Sequence, residues 1–388
     1  MPQIPVENCS GCTACYNACP VSAIKMLPDD EGFTFPVVDG ALCIECGRCE
    51  CVCPIINPPV LEDKYYGGFV VQSEDGEVLD QSTSGGFIDA LCKYVIEEKK
   101  GVAVGAAFDE NFMPKHIIAE SYQEAKRFRG SKYAQSDLGD IFKKTEALLK
   151  AGKTVLFIGT PCQIGGLNTF LIKKYDNLIT VDLVCRSIPS PKLWREYLDW
   201  QESRYNSKVK EVSFRKKTYG YHSGTLRIMF ENGKRYNGSN RVDYYMKSFH
   251  SDICSRNACY SCAFKTAHRC SDFTVFDCWS PEKVTLGELL DNDKGYSNVI
   301  LNSKKSAVII RAVKNITLSE ADPEGMLAFV GGMATQSIRY KTARRNYYKV
   351  IEKYGYPKGV KKYIKVSAKD RIIEGLKPLR YALKKRFK

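Results

Sequence analysis

Cys9-Ser10-Gly11-Cys12-Thr13-Ala14-Cys15-Tyr16-Asn17-Ala18-Cys19-Pro20 and Cys43-Ile44-Glu45-Cys46-Gly47-Arg48-Cys49-Glu50-Cys51-Val52-Cys53-Pro54 are two copies of one pattern. Each reads C-x2-C-x2-C-x3-C-P, the spacing of a bacterial two-cluster 4Fe–4S ferredoxin. Three cysteines at that spacing wrap one face of a cubane, and the fourth reaches across to the other cluster. On this logic Cys9, Cys12, Cys15 and Cys53 hold one cluster, and Cys43, Cys46, Cys49 and Cys19 hold the other. Structural zinc also favours paired C-x2-C hooks. Two complete copies, each with its proline, argue against it. Cys51 is a spare thiol inside the second block.

The rest of the chain agrees with a redox protein. It has 388 residues, 44% apolar and 26% charged, with 17 cysteines and four histidines. That length suggests two or three domains. Dense cysteine in a reducing compartment points to metal or redox chemistry rather than disulfides. So few histidines argue against a histidine-ligated zinc enzyme. No stretch approaches the roughly 20 uninterrupted apolar residues of a membrane span, and no leader-like segment opens the chain, so a cytoplasmic protein is expected. Of the net charge of +14, the segment 357–388 carries +10, from 12 Lys or Arg and 2 Asp or Glu. The basic character therefore belongs to a tail, and a nucleic-acid partner is not indicated.

Four segments follow. Residues 1–57 form the ferredoxin module, ended by Asn57-Pro58-Pro59. Residues 62–150 and 151–320 alternate strand-like and helical patterns, the two parts of an α/β or α+β core with a mixed sheet. Strands are expected at Gly101–Phe108, Thr154–Ile158 and Leu178–Val184, and helices at Ile141–Lys150 and Leu193–Trp200. Residues 337–388 read as a basic helical tail.

Three strings in the core suit a bound anion or ring. Ser82-Thr83-Ser84-Gly85-Gly86 leads into an apolar helix, where free backbone N–H groups suit a pyrophosphate; an ordinary N-cap and turn looks the same. Arg129-Gly130-Ser131-Lys132-Tyr133 offers a cation and an aromatic on flexible backbone, as a solvated loop also would. Val155–Ile158 runs into Gly159-Thr160-Pro161-Cys162-Gln163, a strand, a cap and a helix start. Cys162 would stand in the first helical turn, where the dipole favours a thiolate and makes it the one candidate for a catalytic residue. An inert buried cysteine fits equally. No G-x-G-x-x-G follows a strand, so an ordinary dinucleotide fold is not indicated.

Taken together, "STSGG", "RGSKYAQS", "VLFIGTPCQIGGL" and "LITVDLVC…PSPKLW" resemble, in this order, the coenzyme F420 hydrogenase/dehydrogenase beta subunit family, many members of which carry a fused two-cluster ferredoxin. The resemblance covers most of residues 1–280. It implies a flavoprotein with FAD contacts at Ser82, Thr83, Ser84, Gly85, Gly86, Ser131, Lys132, Tyr133, Thr160, Pro161, Cys162 and Gln163. It also implies a third cysteine site, read here as Cys254, Cys259, Cys262 and Cys270. Those four suffice for a third 4Fe–4S cluster; zinc is the rival, and Cys278 an alternative fourth ligand. Two departures from the family pattern, Phe276 before Asp277 and Arg186-Ser187 after Cys185, fall where a two-electron substrate would approach.

These readings define an iron–sulfur flavin-dependent oxidoreductase that passes electrons between 4Fe–4S clusters, FAD and a two-electron partner. Its expected partners are an electron donor or acceptor protein such as a ferredoxin and an unidentified two-electron substrate. The resemblance adds an association with surface-polysaccharide pathways. One rival keeps the fold and uses coenzyme F420 as hydride partner; the other is a non-catalytic relay subunit of a larger complex. In the tail, Ile372, Leu376, Leu379, Leu383 and Phe387 share one helical face. Such a helix suits an anionic membrane at the inner face, an acidic partner or the protein's own core; Pro378 is expected to kink it.

Overall fold

The computed structural model describes residues 7–61, 63–329 and 331–386. The described residues form thirteen strands: β1 (Ile24–Pro28), β2 (Thr34–Val38), β3 (Gly67–Ser73), β4 (Val102–Phe108), β5 (Pro114–Ala119), β6 (Val155–Gly159), β7 (Leu178–Leu183), β8 (Val209–Lys216), β9 (Thr225–Phe230), β10 (Arg235–Gly238), β11 (Phe273–Cys278), β12 (Tyr296–Leu301) and β13 (Ile316–Glu320). They build a β1–β2 hairpin, a three-stranded sheet β10-β9-β8, and an eight-stranded sheet in the order β13-β3-β12-β11-β7-β6-β4-β5.

The large sheet is mixed. β4, β6, β7 and β11 pair in parallel, whereas β12 pairs antiparallel to both β11 and β3. β3 therefore runs with the parallel group, and the carboxyl ends of β3, β11, β7, β6 and β4 share one edge. Open α/β sheets bind ligands outside that edge. Both core stretches, 62–150 and 151–320, supply strands to it. Every residue of β6 is buried, as a central parallel strand covered on both faces requires.

Alternation along these strands separates two apolar layers. Leu156, Ile158, Ile179 and Val181 face one layer with Phe87, Leu91 and Ile310. Val155, Phe157 and Leu178 face the other with Phe142, Ile164 and Leu167, and Cys12, Ala14 and Ala18 of the N-terminal module complete it. The module is thus packed into the core of the sheet domain. A third layer gathers Trp194, Tyr197, Phe214, Tyr245 and Tyr347 around the small sheet.

The expected helix Ile141–Lys150 forms as read, and the one expected at Leu193–Trp200 extends over Pro191–Tyr205, started by Ser190, whose hydroxyl accepts from the Leu193 amide. The tail differs from the sequence reading. Its described residues form four helices, Arg344–Tyr354, Lys358–Tyr363, Ala368–Gly375 and Lys377–Arg386, the last two broken at Leu376. Pro378 stands in the first turn of the last, where its missing N–H costs nothing, so it starts a helix rather than kinking one. Glu374 accepts from the Ser239 hydroxyl at 2.6 Å, and Asp370 pairs with Lys247 at 3.1 Å. The first two tail helices pack Tyr347, Ile351 and Val360 into the aromatic layer, whereas the last two are held by their acids, and Ile372, Leu379 and Leu383 stay 62%, 63% and 53% exposed. Phe387 lies outside the described residues. Among the described residues no helix is long and apolar enough to cross a membrane.

Candidate functional site: thiol clusters and a polar edge

Two hollows in the N-terminal module are lined by cysteine. One takes Cys9, Cys12, Cys15 and Cys53, with Met26, Pro36 and Ile55 as apolar walls. The other takes Cys19, Cys43, Cys46 and Cys49, with Val21, Ile24, Val38 and Ile44. The repeat is visible in the backbone: the residue after the second cysteine of each block, Thr13 or Gly47, has φ of 64° or 70°. That left-handed turn lets the loop curl round its hollow. The Gly11 amide donates to Cys9 Sγ at 3.4 Å, and the Ala23 amide to Cys19 Sγ at 3.2 Å. Such bonds favour thiolate sulfur. Burial works the other way, pushing the free Cys15 thiol up to about 12, so the cysteine-bearing loops are poised for a metal that displaces the proton. Among the described residues no three His, Cys, Asp or Glu side chains converge on the position of a single metal ion.

A third group of thiols lies at the carboxyl edge of the large sheet. Cys162 follows β6 and Cys185 follows β7, adjacent parallel strands. Cys259 and Cys262 come from the loop before β11. They lie near one another: Cys259 feels the charges of Cys162, Cys185 and Cys262, Cys185 those of Cys162 and Cys262, and Cys162 that of Cys262. The set Cys254, Cys259, Cys262 and Cys270 read from spacing is therefore divided. Cys254 is fully buried in the aromatic layer, its carbonyl accepting from the Tyr348 hydroxyl at 2.6 Å. The charges around the Cys270 thiol are those of Asp182 and Arg269, and its carbonyl accepts from Asn168. Cys278 neighbours Glu282, Asp277 and Asp291. Chain spacing cannot report that β6 and β7 deliver two further thiols from about a hundred residues away.

This placement also revises Cys162. Thr160 and Gln163 form the expected cap, with the Thr160 amide donating to Gln163 Oε1 at 2.8 Å. Burial and the Cys262 charge outweigh the helix terminus and push the Cys162 thiol up to about 11. It is one of four clustered thiols rather than an isolated nucleophile. Cys12 of the module lies within electrostatic reach of it.

The remaining strings meet elsewhere along the edge. Thr83 Oγ1 and Ser131 Oγ are 3.0 Å apart, and Ser84 Oγ and Ser297 Oγ 2.8 Å. A Cβ on Gly85 would lie 2.1 Å from the Val71 carbonyl, so only glycine lets this loop lie on the strands. Ser82 is buried and Gly86 adopts φ 83° at the helix start. Lys132 does not face this loop as a free cation. Its amine is buried and donates to the Arg127, Arg129 and Gly130 carbonyls at 2.9–3.1 Å, because a buried ammonium needs acceptors. Burial lowers it to about 7. Arg129 is likewise consumed by Asp89 at 2.6 Å.

What the sequence reading missed is Arg215. It reaches from β8 to Asp277 at the end of β11 (3.0 Å) and to the Tyr133 hydroxyl (3.4 Å), under Trp279 at 4.9 Å. Tyr133 stacks on Phe249 at 4.9 Å. Arg215 Nη2, the Tyr221 hydroxyl and Asn298 Oδ1 are buried without a partner among the described residues. They surround Asp277, which neighbours the Tyr221 hydroxyl and whose carbonyl accepts from Asn298 Nδ2 at 3.5 Å. Asp277 also stands opposite Ser297 in the β11–β12 register, so this polar group adjoins the Ser84–Gly85 loop. Of the residues expected near a two-electron substrate, Arg186 pairs with Asp252 at 2.6 Å and Phe276 is buried with Val70 and Ile300.

A two-hollow cysteine module packed into a mixed α/β sheet with a further thiol cluster defines an iron–sulfur oxidoreductase-type protein. Residues 8–55 match the 4Fe–4S dicluster domain, residues 69–143 the coenzyme F420 hydrogenase/dehydrogenase beta subunit N-terminal model, and residues 152–325 its C-terminal model. The chain belongs to that family. It is similar to an uncharacterized protein of Methanocaldococcus jannaschii, 25% identical over 77% of this chain and 84% of that protein. It is also similar to the coenzyme F420-dependent sulfite reductase of that organism, 26% identical over 79% of this chain and 46% of the reductase, so it spans about half of that relative's length. A chain of the F420-reducing NiFe hydrogenase complex from Methanosarcina barkeri aligns with a TM-score of 0.48 at 18% identity, over 76% of this chain and 97% of that one.

Proposed function

We propose that this protein is an iron–sulfur flavoprotein oxidoreductase with three 4Fe–4S sites and one FAD. The observation that carries the reading is the clustering of Cys162, Cys185, Cys259 and Cys262 beside Cys12 of the two-hollow module. Cys9, Cys12, Cys15 and Cys53 would hold the first cluster, Cys19, Cys43, Cys46 and Cys49 the second, and the four core thiols the third. Four thiols brought together from three segments suit a cubane. When bound, these groups supply one-electron relay and the flavin supplies exchange between one and two electrons.

The orphaned polar atoms of Arg215, Tyr221 and Asn298 support FAD, since the edge of a flavin ring offers both donors and acceptors. Arg215, held by Asp277, would orient that edge, and Tyr133 and Trp279 would supply apolar faces. The Ser82–Gly86 loop, with Ser131 against Thr83, would meet the pyrophosphate, and Thr160, Pro161 and Gln163, beside Cys162 of the third cluster, would contribute to the flavin site. Lys132 would serve by fixing its turn. The two-electron partner is taken to be F420 or another hydride carrier, as the relatives' names suggest, and an electron-carrier protein to serve the ferredoxin module. A surface-polysaccharide setting rests on the family resemblance alone. The basic tail, with its leucines outward, is read as a peripheral contact with an anionic membrane.

Anaerobic reconstitution tests the reading. The protein should hold about 12 iron per chain, by the ligand count of four thiols per cluster, and release stoichiometric FAD on denaturation. About 8 iron with one zinc would remove the third cluster. Iron without any flavin would leave a relay subunit.

A further inference from the structure

Arg256 is 1% exposed and lies between two of the thiol sites. Its guanidinium donates to the Cys9 carbonyl at 2.6 Å, to Gln135 Oε1 at 3.0 Å and to the Thr34 carbonyl at 3.0 Å. Phe35 covers it at 4.1 Å and Phe33 at 5.6 Å. Gly11, between Cys9 and Cys12, packs on it so closely that a Cβ there would lie 3.1 Å from Nη1. On the other side Arg256 opens the loop that carries Cys259 and Cys262, and its charge reaches Cys162.

None of these partners is charged. Among the described residues Arg256 has no carboxylate, whereas the comparable buried arginines each have one: Arg344 pairs with Glu31, Arg129 with Asp89 and Arg215 with Asp277. A fully buried cation held only by neutral oxygens needs a countercharge. The groups close enough to provide it are the thiolates of the two sites it separates.

We propose that Arg256 is the shared counter-ion of the first site (Cys9, Cys12, Cys15, Cys53) and the core site (Cys162, Cys185, Cys259, Cys262), and that its charge sets the redox poise of both. This rests on the iron–sulfur reading above. Each site gains one negative charge when it takes one electron from a reductant, and a fixed cation in a poorly screened interior stabilises the reduced form. None of the residues that line the second hollow touches Arg256, and its potential should not follow Arg256. Lys265 also neighbours Cys185, Cys259 and Cys262, but its amine is spent on the Cys185 and Met333 carbonyls. Arg269 faces Asp182 at 3.7 Å. Arg256 alone of these cations reaches both sites.

The test is an anaerobic redox titration with dithionite, followed by electron paramagnetic resonance, on reconstituted wild-type protein and two variants. Arg256→Gln should keep its iron, lower the midpoint potentials of two of the three clusters and leave the third unmoved. Gln135→Glu keeps the arginine and its packing but places a carboxylate on Nη1, and should lower the same two. Arg256→Lys keeps the charge and should resemble wild type. Iron-loaded Arg256→Gln or Gln135→Glu with all three potentials unmoved overturns the proposal, and so does Arg256→Lys behaving like Arg256→Gln, which would mark a purely structural residue. If Arg256→Gln does not fold, Gln135→Glu decides. Wild-type protein that takes up no iron would instead overturn the iron–sulfur reading itself.

Discussion

Gly166 faces Cys12: a Cβ built on Gly166 would lie 2.8 Å from both the Cβ and the Sγ of Cys12. Gly166 is four residues, about 6 Å of helix rise, from Cys162, so the contact brings Cys12 of the first hollow to the helix that carries a core thiol. Gly166→Val should force the module off the sheet. Its thermal midpoint should fall, at a cost of about 1–3 kcal/mol for overpacking, and iron per chain should drop by about 4, one cluster's worth. Gly76, in a short helix with open space around it, is the control; Gly76→Ala should be neutral or stabilising by up to about 1 kcal/mol.

The division of the core cysteines has a direct readout. Cys185→Ser and Cys259→Ser should each lower iron by about 4 per chain, the content of one cluster. Cys254→Ser and Cys270→Ser should retain full iron, because their thiols face the aromatic layer and Asp182. Iron lost from Cys254→Ser, with Cys185→Ser intact, would restore the assignment made from spacing.

Flavin affinity should follow Arg215 rather than Lys132. Titrating FAD into apoprotein, Arg215→Ala should bind at least tenfold more weakly, about 1.4 kcal/mol. Lys132→Met should leave three carbonyls without their donor and lower unfolding stability by about 1–3 kcal/mol, with a smaller effect on flavin.

His116 is a buried neutral histidine, lowered by burial from 6.5 to about 4, with Nδ1 3.0 Å from the Ser136 hydroxyl and Nε2 3.2 Å from the Ile158 carbonyl. Below about pH 6.5 the unfolded chain takes up a proton that the folded one refuses. Its contribution is therefore complete above pH 6.5 and is lost as pH falls toward 4, by about 3 kcal/mol in all. Urea midpoints at pH 7.5 and 5 should differ more for wild type than for His116→Gln.

The tail should bind anionic vesicles. In flotation with phosphatidylserine-containing vesicles, wild-type protein should float and Leu379→Glu/Leu383→Glu should not, since both leucines are outward. Flotation with purely zwitterionic vesicles should be weak, and added salt should reduce binding throughout. Equal binding by wild type and the double variant would remove the membrane contact.

Local spacing determined a good part of this protein. Two C-x2-C-x2-C-x3-C-P blocks have short loops, so their geometry is set within a dozen residues, and the crossing of Cys19 and Cys53 between hollows follows from the repeat. Runs such as Val155–Ile158 and caps such as Thr160 are equally local, and the helix Pro161–Leu171 and its strand stand where they were read. The third thiol group was decided only by tertiary structure. Cys162 and Cys185 meet because β6 and β7 are parallel neighbours whose carboxyl ends must share an edge, and Cys259 and Cys262 join them across the β7–β11 pairing. The fate of the cations was decided there too. Lys132, Arg129 and Arg256 look alike in a sequence, but burial obliges each to find acceptors, and which acceptors are in reach depends on the packing of distant segments. The turn carbonyls took Lys132 and Asp89 took Arg129, while Arg256 was left with neutral oxygens between two sets of thiols.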